Sequence, residues 1–293
     1  MDTREKYIKA GKIAGESLKY GCSLIKVGAS VLDVTEKVEQ KVLDLGGEFA
    51  FPPQISLNDI AAHYCASPND LLLFKKGDLA KLDIGVMIDG YIGDTASSVD
   101  LGGHEKLVDA SRNALGNAIK LLKPGITLSE IGKEIQDTIL SHGYSPVKNL
   151  SGHGLSQYVF HDKPSIPNFD TGDKTTLEKG KVIAIEPFAS NGAGIIFESS
   201  NANNFSQVNK KPVRNTITRQ VLSEIENYKA MPFTTRWLAK KFPLAKVNYA
   251  LRELLLLGVL HEYPPLPDKS NGLISQAEHT IIIEDEPIVT TKI

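Results

Sequence analysis

Two aspartates, Asp83 and Asp94, lie eleven residues apart in a segment whose pattern is typical of a β-hairpin. Apolar residues occupy both arms, and Asp89-Gly90 between them is a strong two-residue turn signal. With that turn, Gly85 faces Asp94, and Asp83 lies two residues from Gly85 on the same side. Because any two-residue loop preserves this parity, both carboxylates are expected on one face of the hairpin even if the turn is shifted.

Two carboxylates at this spacing, roughly 5 to 8 Å across a sheet face, repel each other unless a cation lies between them. Carboxylate oxygens suit hard divalent metal ions, and Gly85, which has no side chain, would leave room for an ion beneath the pair. Aspartates are also common near hairpin turns, where both would simply be solvated. The hairpin alone therefore leaves a metal site and a solvated face as open alternatives.

The second half of the chain adds polar side chains to segments that are otherwise typical of buried strands. His153 lies between two glycines, and His161 follows eight residues later, so a continuous strand would point both imidazoles to one face. Glu186 directly follows the apolar run VIAI, and Glu278 borders the run TIII, with His279 expected on the opposite face. Together with the hairpin aspartates, Glu186, Glu278 and His153 make a coherent set of candidate metal ligands with four carboxylates and one imidazole.

The elements that must position these residues alternate between helices and strands. Apolar periodicity predicts helices over 3–21, 31–45, 105–122 and 127–142. The first pair is broken at a Lys-Val-Gly turn and the second at a Lys-Pro-Gly turn, and strands follow each pair. This repeated order indicates an internal duplication.

The bulk composition is that of an ordinary globular protein, with 41% hydrophobic and 23% charged residues and a net charge of −2. These values exclude general disorder and a polyanion-binding role for the whole chain. Two cysteines, Cys22 and Cys65, cannot form a disulfide framework and fit a reducing cytosol. The sequence predicts neither a signal peptide nor a membrane span, and therefore a cytoplasmic protein.

Residues 203–263 interrupt the strand order with a segment that patterns as three short helices. It carries ten lysines and arginines against four glutamates, a net charge of +6. Short helices with this charge are compatible with a helix-turn-helix that binds nucleic acid, or with the wall of a pocket.

Read in order, the hairpin LDIGVMIDGYIGDTA, the block GHG followed by His161, AIEPF, YPPL and SQAEHT resemble the pita-bread metallopeptidases. The similarity is specifically to the type II methionine aminopeptidases in their short, archaeal-like form, and it runs nearly end to end. It implies an α+β pita-bread (creatinase/aminopeptidase) fold, in which helices cover a pseudo-twofold antiparallel sheet. The catalytic domain would comprise 1–202 and 264–293, and 203–263 would be the winged-helix-like insertion of type II enzymes.

The resemblance also implies a dinuclear metal centre with the ligands Asp83, Asp94, His153, Glu186 and Glu278. Asp83 would bind one ion, His153 and Glu186 the other, and Asp94 and Glu278 would bridge both. Two ions held in this way would activate a water or hydroxide for attack on the scissile carbonyl. Oxygen-rich ligands favour Co²⁺, Mn²⁺ or Fe²⁺, with Zn²⁺ and Ni²⁺ as further options.

The same resemblance gives roles to residues around the metal centre. Glu186 would shuttle protons, and His63 and His161 would bind the substrate peptide and the tetrahedral intermediate. The aromatic residues expected around the methionine side chain are Phe51, Phe160 and Tyr263.

The function implied is removal of the initiator methionine from nascent polypeptides whose second residue is small. The enzyme would be a cytoplasmic monomer without membrane attachment, and the ribosome would be a further partner. A prolidase-like Xaa-Pro peptidase on the same fold is the nearest alternative. The other alternative is a non-catalytic pita-bread protein that binds nucleic acid or a protein partner.

Overall fold

The computed structural model of the chain describes residues 1–199 and 201–292, so positions 200 and 293 of the expected domain ranges lie outside it. Seven α-helices occur in the described part: α1 (Thr3–Leu24), α2 (Val31–Asp44), α3 (Glu105–Leu121), α4 (Leu128–Ser141), α5 (Thr216–Ile225), α6 (Thr235–Ala239) and α7 (Leu244–Leu256). The four helices expected in the first half are confirmed, with ends that differ by at most three residues. None of the described helices is long and apolar enough to cross a membrane.

The strands form small antiparallel sheets. They are β1 (Glu48–Phe49), β2 (Gln54–Leu57), β3 (Leu79–Ile88), β4 (Tyr91–Asp100), β5 (Ser145–Pro146), β6 (Ser151–Ser156), β7 (Val159–Pro167), β8 (Val182–Ile185), β9 (Phe188–Ser190), β10 (Asn204–Gln207), β11 (Phe233–Thr234), β12 (Leu260–Glu262), β13 (Ile274–Gln276), β14 (His279–Ile282) and β15 (Ile288–Val289). Every pairing between these strands is antiparallel.

The first half of the fold is built on the hairpin of β3 and β4. Ile88 pairs with Tyr91 across the turn, and Gly85 pairs with Asp94, as the sequence predicted. Asp89 has a φ of 51°, a conformation that suits a two-residue hairpin turn. Strands β1 and β2 pair with the other edge of β3, while α1 and α2 pack their apolar faces on this sheet.

The second half repeats the same order of elements. Helices α3 and α4 pack together over a sheet with the strand order β15-β14-β8-β6-β7 and a smaller sheet with the order β13-β9-β5. Their shared core contains apolar residues of both helices, including Leu115 and Ile135, and residues of β8 and β14, including Ile183 and Ile281. The two helix-covered halves match the fold that the sequence predicted.

The segment between β9 and β13 contains a separate small unit. Strands β10, β11 and β12 form a three-stranded sheet, and α5, α6 and α7 surround a core of their own that includes Val221, Phe233 and Leu254. This unit agrees with an inserted subdomain, and its boundaries at 203 and 263 stay a prediction.

A buried ion pair joins this unit to α2. Glu39 is nearly fully buried and accepts hydrogen bonds from Arg236 Nη1 and Nη2 at 2.7 and 2.6 Å. Trp237 Nε1 donates to the same carboxylate at 2.6 Å. Because three donors meet one buried carboxylate, Glu39 fixes α6 against α2.

We expect Glu39→Ala to lower the free energy of unfolding by about 3 kcal/mol, because it leaves a buried guanidinium without its partner. Urea unfolding followed by circular dichroism measures the change. Glu36→Ala is the matched control, since Glu36 lies one turn earlier, is half exposed, and approaches Arg236 only at 3.9 Å. The control should change stability by at most about 0.5 kcal/mol. Equal losses in both variants would contradict a fixing role for Glu39.

Candidate metal centre

The two halves of the fold meet where β4 lies against β14. The backbone N–H of Asp94 donates to Thr280 Oγ1 at 2.7 Å, and the Thr280 hydroxyl donates to the carbonyl of Asp94 at 2.9 Å. One residue further, Thr95 Oγ1 donates to the carbonyl of Glu278 at 2.8 Å. These bonds bring Asp94 of the first half and Glu278 of the second half to one place.

His153 completes the group from the neighbouring strand β6. Its Nε2 atom lies 3.7 Å from Asp94 Oδ2 and 3.9 Å from Glu186 Oε1. One ligand atom each from Asp94, His153 and Glu278 lie within 4.8 Å of one another, and all three residues are buried. Glu186 follows β8, which pairs with β6 next to His153. The sequence-predicted ligands of the second half are thus gathered at the hairpin aspartates.

The four buried acids Asp83, Asp94, Glu186 and Glu278 have raised pKa values, which indicates that their charged forms need nearby cations. Burial raises the pKa of Asp83 to about 7, and burial followed by repulsion from Asp83 and Glu186 raises the pKa of Asp94 well above its usual value. Burial is also the first cause of the raised pKa values of Glu186 and Glu278, and repulsion between the carboxylates follows. Four acids in one buried group are therefore unstable as carboxylates without added positive charge.

The available donor atoms fit divalent metal ions. Among the described residues, one oxygen each of Asp83, Asp94 and Glu278 is buried without a hydrogen-bond partner. Burial, followed by repulsion from His161, lowers the pKa of His153 to about 3, so its imidazole is neutral and free to act as a ligand. Oxygen atoms with one imidazole suit hard to borderline metal ions.

Gly85 has a different role from the one expected. A Cβ atom added there would lie 2.1 Å from Phe51 Cε1, so the glycine makes room for the ring of Phe51. The expectation that Gly85 leaves space for an ion is wrong, because packing of the ring fills that space. Phe51 in turn contacts Phe160, with ring centroids 4.7 Å apart, and Phe160 lies 5.2 Å from the ring of His153.

His153 and His161 lie on two paired strands and not on one continuous strand. A turn separates β6 from β7, and the pairing of the two strands is irregular after His153. The two rings nevertheless approach to 4.5 Å between centroids. Juxtaposition of the histidines was predicted, but the strand parity behind it was wrong, because the chain reverses between them.

His63 is held beside the same cavity by its neighbours. It has a φ of 72°, its backbone N–H donates to Gln54 Oε1 at 2.7 Å, and its Nδ1 lies 3.2 Å from the carbonyl oxygen of Pro264. The ring of Tyr263 packs edge-on against His63 at 5.7 Å. Burial is the main cause that lowers the pKa values of His63 and His161 to about 4, so both are neutral at pH 7.

These residues line a cavity of about 390 Å³. The predicted site residues in its wall are His63, Asp83, Asp94, His153, Phe160, His161, Glu186 and Glu278. Phe51 packs behind Phe160, and Tyr263 packs beside His63. A larger cavity of about 520 Å³ lies between α2 and the inserted unit, and none of these site residues lines it.

A family model for metallopeptidase family M24 matches residues 5–218. The chain belongs to metallopeptidase family M24. The methionine aminopeptidase of Archaeoglobus fulgidus is 46% identical to this M24 chain over 293 residues, which cover 99% of each protein. The resemblance seen in the sequence motifs is therefore confirmed.

Solved structures with the M24 fold are also similar to this chain. The methionine aminopeptidase of Thermotoga maritima matches with a TM-score of 0.73 and 24% identity, over 99% of this chain and 96% of that one. The prolidase of Pyrococcus furiosus matches with a TM-score of 0.61 and 19% identity. The match covers 99% of this chain but 63% of the prolidase chain. At these identities the two structures show the shared fold, and they confirm the pita-bread prediction.

Sequence reasoning assigned no role to several polar residues of this M24 site. Gln54, Asn149, Ser151, Lys163 and Ser165 line the cavity. Their types are common on any surface, so only their three-dimensional position marks them. His279 behaves as predicted, because its Nδ1 contacts Thr291 Oγ1 at 2.8 Å, away from the carboxylates.

Proposed function

We propose that this chain is a metal-dependent methionine aminopeptidase that removes the initiator methionine from nascent polypeptides with a small second residue. The observation that carries the chemistry is the buried group of four carboxylates around His153, which needs bound cations to balance its charge. The choice of methionine is supported by full-length similarity to a protein named methionine aminopeptidase.

The residues that would hold two divalent ions are Asp83 for one, His153 and Glu186 for the other, and Asp94 and Glu278 for both. Their donor atoms favour Mn²⁺, Fe²⁺ or Co²⁺, with Zn²⁺ and Ni²⁺ as alternatives. When bound, such ions polarise a scissile carbonyl and activate water at neutral pH. The chain supplies a fixed and buried frame for them, because hydrogen bonds join β4 to β14 directly at two of the ligands.

The neighbouring residues have separate tasks in this proposal. A carbonyl oxygen only accepts, so His63 carries its proton on Nδ1 facing Pro264 and presents Nε2 as an acceptor for a substrate N–H. His161 is neutral and would contact the substrate from its position in the cavity wall beside His153. Glu186 takes a proton from the attacking water and returns it to the leaving amine.

Aromatic packing supports an apolar pocket for the methionine side chain. Phe160 is in the cavity wall, Phe51 packs against it, and Tyr263 packs edge-on against His63. We propose further that the enzyme works as a monomer in the cytoplasm on nascent chains, with the ribosome as an additional partner.

Peptide hydrolysis tests the proposed substrate. With Mn²⁺ present, Met-Ala-Ser should be cleaved about a hundredfold faster in kcat/KM than Met-Lys-Ser, because a tight space beyond the scissile bond excludes a large, charged second residue. Liquid chromatography of released methionine measures both rates. Cleavage of Leu-Pro without cleavage of Met-Ala-Ser would favour the prolidase alternative. Binding of Mn²⁺ with no hydrolysis of either peptide would favour the non-catalytic one.

We expect His161→Ala to lower kcat about a hundredfold or more while the number of bound Mn²⁺ ions stays unchanged. The reason is that His161 lies in the cavity wall beside His153, outside the group of Asp94, His153 and Glu278 whose ligand atoms lie together. Metal analysis after gel filtration, with steady-state kinetics on Met-Ala-Ser, checks both parts. Parallel loss of metal would make His161 a ligand.

A further inference from the structure

Gln276 lies behind the metal ligands, at the junction of the two halves. Its Nε2 atom is 3.5 Å from Asp83 Oδ2 and also 3.5 Å from Glu186 Oε2. The side chain is almost fully buried, with 1% of its surface exposed. Asp83 belongs to the first half of the fold and Glu186 to the second, so one amide group spans both.

The backbone of Gln276 is itself fixed from two sides. Its N–H donates to Ser98 Oγ and its carbonyl accepts from the same hydroxyl, each at 2.8 Å, which ties β13 to β4. On the other side Gln276 pairs with Phe188 of β9, two residues after Glu186. The backbone of Gln276 is therefore tied to β4, which pairs with the strand β3 that carries Asp83, and to β9, which begins two residues after Glu186.

A primary amide is well suited to this position. Its nitrogen carries two N–H groups, so it can donate one to each carboxylate at the same time. Because the amide is neutral, it leaves the negative charge of both carboxylates available to bound cations, whereas a lysine would compete with them. An apolar side chain would orient neither acid, and a carboxylate would repel both.

We propose that Gln276 is a positioning residue that holds Asp83 and Glu186 in a fixed mutual orientation for metal binding. This inference rests on the proposed metallopeptidase function. The two contacts of Gln276 Nε2 are at the long end of hydrogen-bond distances. They oppose the repulsion that would otherwise push the two carboxylates apart. Groups that orient metal ligands from behind contribute to metal affinity without touching the ion.

Gln276→Met tests the donor role, because methionine has nearly the same length and volume but no N–H group. Isothermal titration of the metal-free protein with Mn²⁺ should give a dissociation constant about 10- to 100-fold weaker than that of the wild type. At saturating Mn²⁺, kcat on Met-Ala-Ser should fall while KM is unchanged, since Gln276 is behind the ligands and not in the cavity wall.

Gln276→Asn is the second variant, since it keeps the amide but is too short to reach both acids, and it should weaken Mn²⁺ binding as well. If circular dichroism shows that Gln276→Met does not fold, Gln276→Asn is compared with the wild type in its place. Ser275→Ala is the matched control on the same strand, because the buried Ser275 hydroxyl donates to Leu107 on the opposite side. The control should lower the melting temperature and leave Mn²⁺ affinity unchanged.

Wild-type Mn²⁺ affinity and kcat in both Gln276 variants would overturn the inference. An equal loss of Mn²⁺ affinity in Ser275→Ala would also overturn it, because general loosening of β13 would then explain the effect. Failure of the wild-type protein itself to bind Mn²⁺ and cleave Met-Ala-Ser would instead refute the proposed function. The two failures are therefore distinguishable in one set of measurements.

Discussion

Asp94→Asn and Glu278→Ala are each expected to lower kcat/KM for Met-Ala-Ser by at least about a thousandfold and to reduce the number of bound Mn²⁺ ions. Each change removes a negative charge from the place where β4 and β14 meet. The remaining acids then balance less positive charge, and one of the carboxylate ligands near His153 is missing.

Asp100→Asn is a suitable control for this experiment. Asp100 ends the same strand as Asp94, and within the described residues its carboxylate accepts from the backbone N–H groups of Gly102 and His104 in the following turn. Its replacement should leave Mn²⁺ stoichiometry and turnover unchanged. Metal analysis and steady-state kinetics on all three variants decide the matter. Turnover at the wild-type rate in either site variant would refute the assignment of that residue as a ligand.

The hairpin shows what the sequence could specify in advance. A two-residue loop with a strong turn signal fixes which residues face each other, and the period of a strand fixes which face each side chain takes. The pairing of Gly85 with Asp94 followed from those two rules. The start of a helix can be predicted in a similar way, because the spacing of Thr127 and Glu130 is typical of the reciprocal cap that they form at α4.

Contacts between distant segments could not be predicted from the sequence in this way. No local pattern indicates that Thr280 bonds the backbone of Asp94, or that the ring of Phe51 covers Gly85. Gln276 stood within the recognised motif SQAEHT, yet an uncharged side chain gives no signal until the two carboxylates it joins are seen together. The family resemblance supplied the ligand set, and the structure supplied the reasons for its geometry.

The same acids that bind metal should destabilise the metal-free protein at neutral pH. Burial raises the pKa of Asp83 from 3.8 to about 7. Between these values the native chain holds a proton on Asp83 that the unfolded chain has lost, so the free energy of unfolding falls as the pH rises. The decrease amounts to about 4 kcal/mol from Asp83 alone, fully present by pH 8.

Asp83→Asn isolates this contribution, because asparagine resembles the protonated acid at every pH. In EDTA, urea unfolding should give nearly equal stability for the variant and the wild type at pH 4, and a variant that is more stable by about 4 kcal/mol at pH 8. A difference that does not grow with pH would contradict the raised pKa. Adding Mn²⁺ should reverse the order at pH 8, because metal ions bind the deprotonated acid and stabilise only the wild type. The negative charge of Asp83, which a metal ion needs, thus lowers the free energy of unfolding whenever the ion is absent. Metal binding, and not stability, therefore explains a carboxylate at this buried position.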